Sequence, residues 1–80
     1  MKNLTLVIPA KYEADSLPNV LEEVKTFGCE KIIVLEPNDI ETIKSTEGYN
    51  CKLIYQSKKG YGNALIEGME NVQTDYLCIF

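Results

Sequence analysis

Chemistry in this chain can come from three short clusters of residues. The first is Lys11-Tyr12-Glu13, the second is Glu36 with Pro37, Asn38 and Asp39, and the third is Lys58-Lys59-Gly60-Tyr61-Gly62. Glycines beside lysines let backbone N–H groups approach an anion, and a helix that follows presents its positive end to it. Two adjacent lysines add point charge without the planar fork that arginine offers. The carboxylates can accept hydrogen bonds from hydroxyls or base N–H groups. The sequence has no His and no Arg. Histidine general-base catalysis, His-ligated metal and arginine clamps on phosphate are therefore outside its repertoire. The third cluster lacks the glycine spacing of a dinucleotide-binding turn, and no P-loop pattern is present. Cys29, Cys51 and Cys78 are odd in number and have no C-x-x-C spacing. They read as small apolar residues of a reducing, cytoplasmic protein, with Cys78 in the core.

The elements that position these clusters follow from pattern. Leu4 to Pro9 is β-branched and apolar, as a strand buried on both faces would be. Leu17, Val20, Leu21, Val24 and Phe27 form a helical stripe, capped by Asp15 or Ser16 and ended by Gly28. Lys31 to Leu35 is a second buried strand, followed by a short helix through Ile40 and Ile43 with Asn38 or Asp39 as cap. Lys52 to Gln56 alternates in part and reads as a strand near an edge. Leu65, Gly68, Met69 and Val72 make a third stripe, with Gly68 allowing close approach to the sheet. Tyr76 to Phe80 reads as a fourth buried strand. The order β-α-β-α-β-α-β implies parallel strands and one α/β domain over residues 1–80. Ligands of such sheets bind beyond the carboxyl ends of the strands, where all three clusters fall.

The 80 residues carry a net charge of −4 and are 45% hydrophobic. That balance excludes a disordered segment and argues against general nucleic-acid binding. No apolar run approaches the ~20 residues of a membrane span, and no signal sequence opens the chain. Because the sequence stops on strand residues, a piece truncated from a longer protein is expected.

Ile8 to Leu17, I-P-A-K-Y-E-A-D-S-L, resembles the opening motif of family 2 nucleotide-sugar-dependent glycosyltransferases, usually I-P-A-Y-N-E-x-x-S-L. Lys58 to Gly68, K-K-G-Y-G-N-A-L-I-E-G, resembles that family's G-K-G-x-G-x-A-L-x-x-G at the expected distance. Asp75 to Phe80 resembles the strand that runs into the family's D-x-D. The subgroup that looks most similar is the dolichyl- or polyprenyl-phosphate mannosyl- and glucosyltransferases. The resemblance implies the N-terminal part of the glycosyltransferase A-type fold, a three-layer Rossmann-like open parallel sheet in strand order 3-2-1-4. It implies a UDP- or GDP-sugar donor, with Mg²⁺ or Mn²⁺ in the parent enzyme held by ligands that this chain lacks. Pro9 and Glu13 match positions that hold base and ribose, and Lys58 or Lys59 falls near the diphosphate. Ala10, Lys11, Val34, Glu36 and Gly60 complete the nucleotide-sugar-binding set that the resemblance implies. Gly62 and Gly68 match structural glycines.

The departures are specific. Lys11-Tyr12 stands where the family has Tyr-Asn, and Leu35-Glu36-Pro37-Asn38 stands where it has Asp-Asp-Gly-Ser. Only Glu36 keeps a carboxylate there. No catalytic residue is expected within this chain, which would be inactive alone. The parent would work in the cytoplasm, at the cytoplasmic face of a membrane where its acceptor is a lipid. Two other readings fit the sequence: a Rossmann-like binding module that has lost nucleotide affinity, and a module that self-associates through an uncovered sheet edge.

Overall fold

A computed structural model describes residues 3–80. Seven elements alternate: β1 (Leu4–Pro9), α1 (Leu17–Val24), β2 (Glu30–Leu35), α2 (Ile40–Ser45), β3 (Lys52–Tyr55), α3 (Tyr61–Glu70) and β4 (Tyr76–Ile79). The four strands form one all-parallel sheet in the order β3-β2-β1-β4. This is the α/β architecture and strand order anticipated above. β1 and β2 are central, and their side chains alternate between two cores. Leu6, Ile8, Ile33 and Leu35 pack with Leu17, Leu21 and Val24 of α1. Val7, Ile32 and Val34 pack on the other face with Ala64 of α3. The sheet is thus sandwiched, with α1 on one side and α3 on the other.

α3 sits over β1 and β2 because one residue has no side chain. A Cβ placed on Gly68 would lie 2.6 Å from Val7 Cγ1 and 2.9 Å from Val34 Cγ2. Both valines are wholly buried in the central strands, so neither methyl has room to yield.

Several local expectations change. The α1 stripe is Leu17, Leu21 and Val24, while Val20 is only half-buried. The helix ends at Val24 rather than at Gly28, which has no positive φ. Past that point the chain leaves the helical path, and Phe27 is exposed. In α2 the apolar Ile40 faces solvent, whereas polar Asp39 and Thr42 are buried; the reason lies in the β1–α1 loop described below. In α3 the buried positions are Ala64 and Gly68, with Leu65 half-buried and Met69 exposed. The smallest side chains seat the helix, and the larger ones flank it.

β4 differs most. It was expected to be buried, with Cys78 in the core. All four of its residues are exposed, Cys78 among them. Among the described residues β4 pairs only with β1, and α3 lies over β1 and β2 rather than β4. Its apolar composition is therefore not matched by cover among the described residues. Cys29 and Cys51 are half-buried at the margin of the α1-side core.

The Gly68 contact gives a stability prediction. Over-packing a tight site costs about 1–3 kcal/mol, and the helix propensity of Ala returns about 1 kcal/mol. Gly68→Ala should therefore lower unfolding stability by up to about 2 kcal/mol in urea titration. Gly62→Ala should not, because a Cβ there meets nothing within 4 Å. Equal stability of the two variants would refute the close-approach account.

Candidate functional site

β1 ends at Pro9, and the chain must turn sharply before α1. The turn is held by backbone donors on Ala10, Tyr12 and Glu13, each of which finds a partner on another element. Ala10 N–H donates to the Val34 carbonyl at 2.9 Å. Tyr12 N–H donates to Asp39 Oδ2 at 2.7 Å, and Glu13 N–H donates to Thr42 Oγ1 at 3.0 Å. Tyr12 adopts φ +53°, a left-handed conformation uncommon for a non-glycine residue. These bonds explain why Asp39 and Thr42 are buried. They flank and open α2, yet their side chains serve a loop 27 and 29 residues away in sequence. Burial pushes the Asp39 carboxyl up. The hydrogen bonds from Tyr12 and Thr42 outweigh that effect and hold it below its ordinary value.

The loop after β3 is held in a different way. The Glu67 carboxylate on α3 accepts Ser57 N–H and Ser57 Oγ–H, each at 2.9 Å, and Lys58 N–H at 3.2 Å. The Ser57 N–H bond is the main cause of a Glu67 carboxyl held below its usual range. From the strand side, Gln56 Nε2 donates to the Lys58 and Gly60 carbonyls. Asn63 Nδ2 donates to the Lys59 carbonyl at 2.7 Å. Gly60 caps α3 at φ +105°, a conformation open to glycine.

With both loops fixed, the three sequence clusters meet at the carboxyl ends of β1, β2 and β3. A hollow of about 180 Å³ is lined by Pro9, Ala10, Lys11, Glu13, Glu36 and Gly60, together with Gln56, Tyr61 and Ala64. A second hollow of about 350 Å³ adjoins it and shares Lys11, Glu36 and Gln56. Lys58 and Lys59 line this second hollow with Pro37 and Asn38. Eight of the nine anticipated binding residues therefore border one continuous crevice. Val34 does not. It is wholly buried, its carbonyl holds Ala10, and its methyl faces Gly68.

The crevice is mixed in charge. Glu36 is only 13% exposed at its side chain, and Lys11 Nζ lies 3.7 Å from Glu36 Oε1. Lys11 itself is largely in solvent, so this pair adds little stability. The Glu13 carboxylate accepts the Ser16 hydroxyl at the start of α1. Lys58 and Lys59 are exposed at the outer rim. Such a site presents positive charge outside and a carboxylate within. It fits a ligand with an anionic part at the rim and hydrogen-bond donors toward Glu36. Among the described residues, no three His, Cys, Asp or Glu side chains cluster as metal ligands do.

Pattern reading missed Gln56 and Tyr61 as lining residues and Asp39, Thr42 and Glu67 as positioning residues. Gln56 was visible as the end of the third strand. Tyr61 lies within the glycine-bearing cluster itself, whereas Asp39, Thr42 and Glu67 act through hydrogen bonds to residues 9 to 29 positions away, which spacing does not report. Comparison with family models, curated proteins and solved structures finds no match to the chain.

The Asp39 contact predicts an acid-limb effect. A carboxyl depressed on folding stabilises above its unfolded value, near pH 4, and that contribution fades as pH falls through the folded value. Asp39→Asn should thus flatten the fall in stability below about pH 4 while lowering stability at neutral pH. Thermal melts across pH would test this, and an unchanged acid limb would exclude Asp39 as the anchor.

Proposed function

We propose that this chain forms the donor-nucleotide part of a nucleotide-sugar-dependent glycosyltransferase and holds part of a UDP- or GDP-sugar. One observation carries the reading: three loops distant in sequence line one crevice at the carboxyl edge of a parallel sheet. These loops are also where the motif resemblance puts the donor. In this reading Lys58 and Lys59 meet the diphosphate as point charges. Pro9, Ala10 and Glu13 flank the base and ribose, and Glu36 accepts hydrogen bonds from the nucleoside. Gly60 turns the loop so that the first turn of α3 opens toward the crevice.

The chemistry of transfer lies outside this proposal. Departure of a nucleoside diphosphate concentrates negative charge, which a divalent ion such as Mg²⁺ or Mn²⁺ neutralises in enzymes of that kind. None of the crevice residues is assigned to that task or to activating the acceptor hydroxyl. The chain by itself is read as a binding part, cytoplasmic, with the parent enzyme at a membrane face where its acceptor is a lipid. No helix among the described residues is long and apolar enough to cross a membrane.

A second reading, a Rossmann-like module without nucleotide affinity, has its own support. Leu35 is wholly buried, so it offers the crevice no substitute for the aspartate at that place in the family. The N–H groups of Ser57 and Lys58 are committed to Glu67.

Titration separates the two. With UDP or GDP at 100 times its dissociation constant, the folded state gains about 2.7 kcal/mol, an evident rise in melting temperature. The donor reading expects that rise for one nucleotide, larger than for inorganic diphosphate. It expects the rise to be lost in the Lys58→Ala/Lys59→Ala double variant with the unliganded melt unchanged. No rise with either nucleotide, with Mn²⁺ present or absent, would favour the module without affinity.

A further inference from the structure

The two edges of the sheet are built differently. β3 opens on Lys52, a charge that discourages strand addition. β4 and the residue after it read Tyr-Leu-Cys-Ile-Phe, with no charge and no proline. Tyr76 is 69% exposed, Phe80 50%, Leu77 40% and Ile79 39%. In a chain of net charge −4, two copies repel over most of their surface, and this strip is where they can approach.

The backbone of β4 says how they would meet. Tyr76 N–H donates to the Asn3 carbonyl and Phe80 N–H to the Val7 carbonyl. Strand groups alternate in direction, so residues 76, 78 and 80 spend their main-chain groups on β1. The N–H and C=O of Leu77 and Ile79 point to the open edge. These free groups are symmetric about Cys78. An antiparallel copy of the same strand satisfies all of them if Leu77 faces Ile79 of the second copy and Ile79 faces its Leu77. The dyad of that arrangement falls on Cys78, opposite its own equivalent in a non-hydrogen-bonded pair. The Cα separation of such a pair, about 4.5 Å, lies in the range that a disulfide spans.

We propose that β4 is a self-association edge, on which a second copy of this chain adds its own β4 antiparallel, with the two-fold axis at Cys78. The proposal does not depend on the donor reading. At about 200 Å² per large apolar side chain, the exposed portions of these residues in two copies reach at most roughly 1,000 Å² with the strand backbone, the lower bound for a specific interface. The dimer is therefore a weak one, seen at high concentration and caught by cross-linking.

Sedimentation from about 1 µM to about 1 mM should show a monomer passing to a dimer. Tyr76→Lys should keep it monomeric throughout, with circular dichroism confirming the fold. Hydrogen exchange at the Leu77 and Ile79 amides should slow in the dimer range and not in Tyr76→Lys. Diamide, which takes up the two electrons and two protons released as two thiols join, supplies the register test. A Cys29→Ser/Cys51→Ser variant, with Cys78 as the remaining thiol, should form a covalent dimer, and Cys78→Ser should not. A monomer at every concentration would overturn the proposal. So would a dimer insensitive to Tyr76→Lys, or cross-linking that persists in Cys78→Ser. None of these outcomes involves nucleotide, so the donor reading stands or falls separately.

Discussion

Two backbone N–H groups, on Tyr12 and Glu13, hold the crevice in shape by donating to the side chains of Asp39 and Thr42. Without them the loop after β1 would have little reason to keep Tyr12 at positive φ. A left-handed non-glycine residue persists where surroundings over-determine it, and here they do. Ala10 is tied to β2, and Tyr12 and Glu13 are tied to the start of α2. The consequence reaches the site directly. Lys11 lies between the pinned residues, so its position beside Glu36 follows from the clamp rather than from the weak ion pair between them. The same clamp explains why a six-residue helix with an exposed isoleucine is present at all. α2 is anchored by polar residues that satisfy a neighbouring loop, and less by an apolar face.

Pattern reading reached the elements, their order and the parallel sheet, because hydrophobic periodicity in a β/α chain is set by two-sided burial of the central strands. It failed where burial is one-sided or where polarity serves a distant partner. Tyr76 to Phe80 has the composition of an interior strand, yet composition cannot tell whether a helix covers it. Ile40 faces solvent for the opposite reason: the Thr42 hydroxyl, required by Glu13, takes the interior. The α3 stripe holds at Gly68 and Val72, but Ala64 rather than Leu65 or Met69 takes the buried seat beside them. The sheet instead receives the smallest side chains, and the Gly68 contact dictates that choice. The crevice was legible as three loops on one rim. Its supports were not, since Asp39 and Glu67 act through tertiary hydrogen bonds.

Gly68 and the exposure of β4 both follow from one placement, that of α3 over β1 and β2. The helix comes close to the sheet by bringing its backbone against Val7 and Val34. The centring of α3 on β1 and β2 leaves β4 beyond its reach. The fold thus concentrates its packing under the crevice-forming strands and leaves one flank apolar and open.

In the proposed donor reading, the Glu67 contact narrows how the crevice would recognise an anion. In many phosphate sites the loop before a helix offers a run of free N–H groups, which fix oxygen positions as well as supplying charge. Here the Ser57 and Lys58 donors are turned to a carboxylate of the same chain. That carboxylate also sets negative charge behind the loop. The anion-facing groups that remain are the Lys58 and Lys59 side chains and the first turn of α3, where a flexible ammonium supplies attraction with little geometric selection. Discrimination between ligands must then come from deeper in the crevice, from the nearly enclosed Glu36 and the fixed backbone of Pro9 and Ala10. The outer lysines would set how strongly an anion is drawn in, and the inner carboxylate would set which one stays.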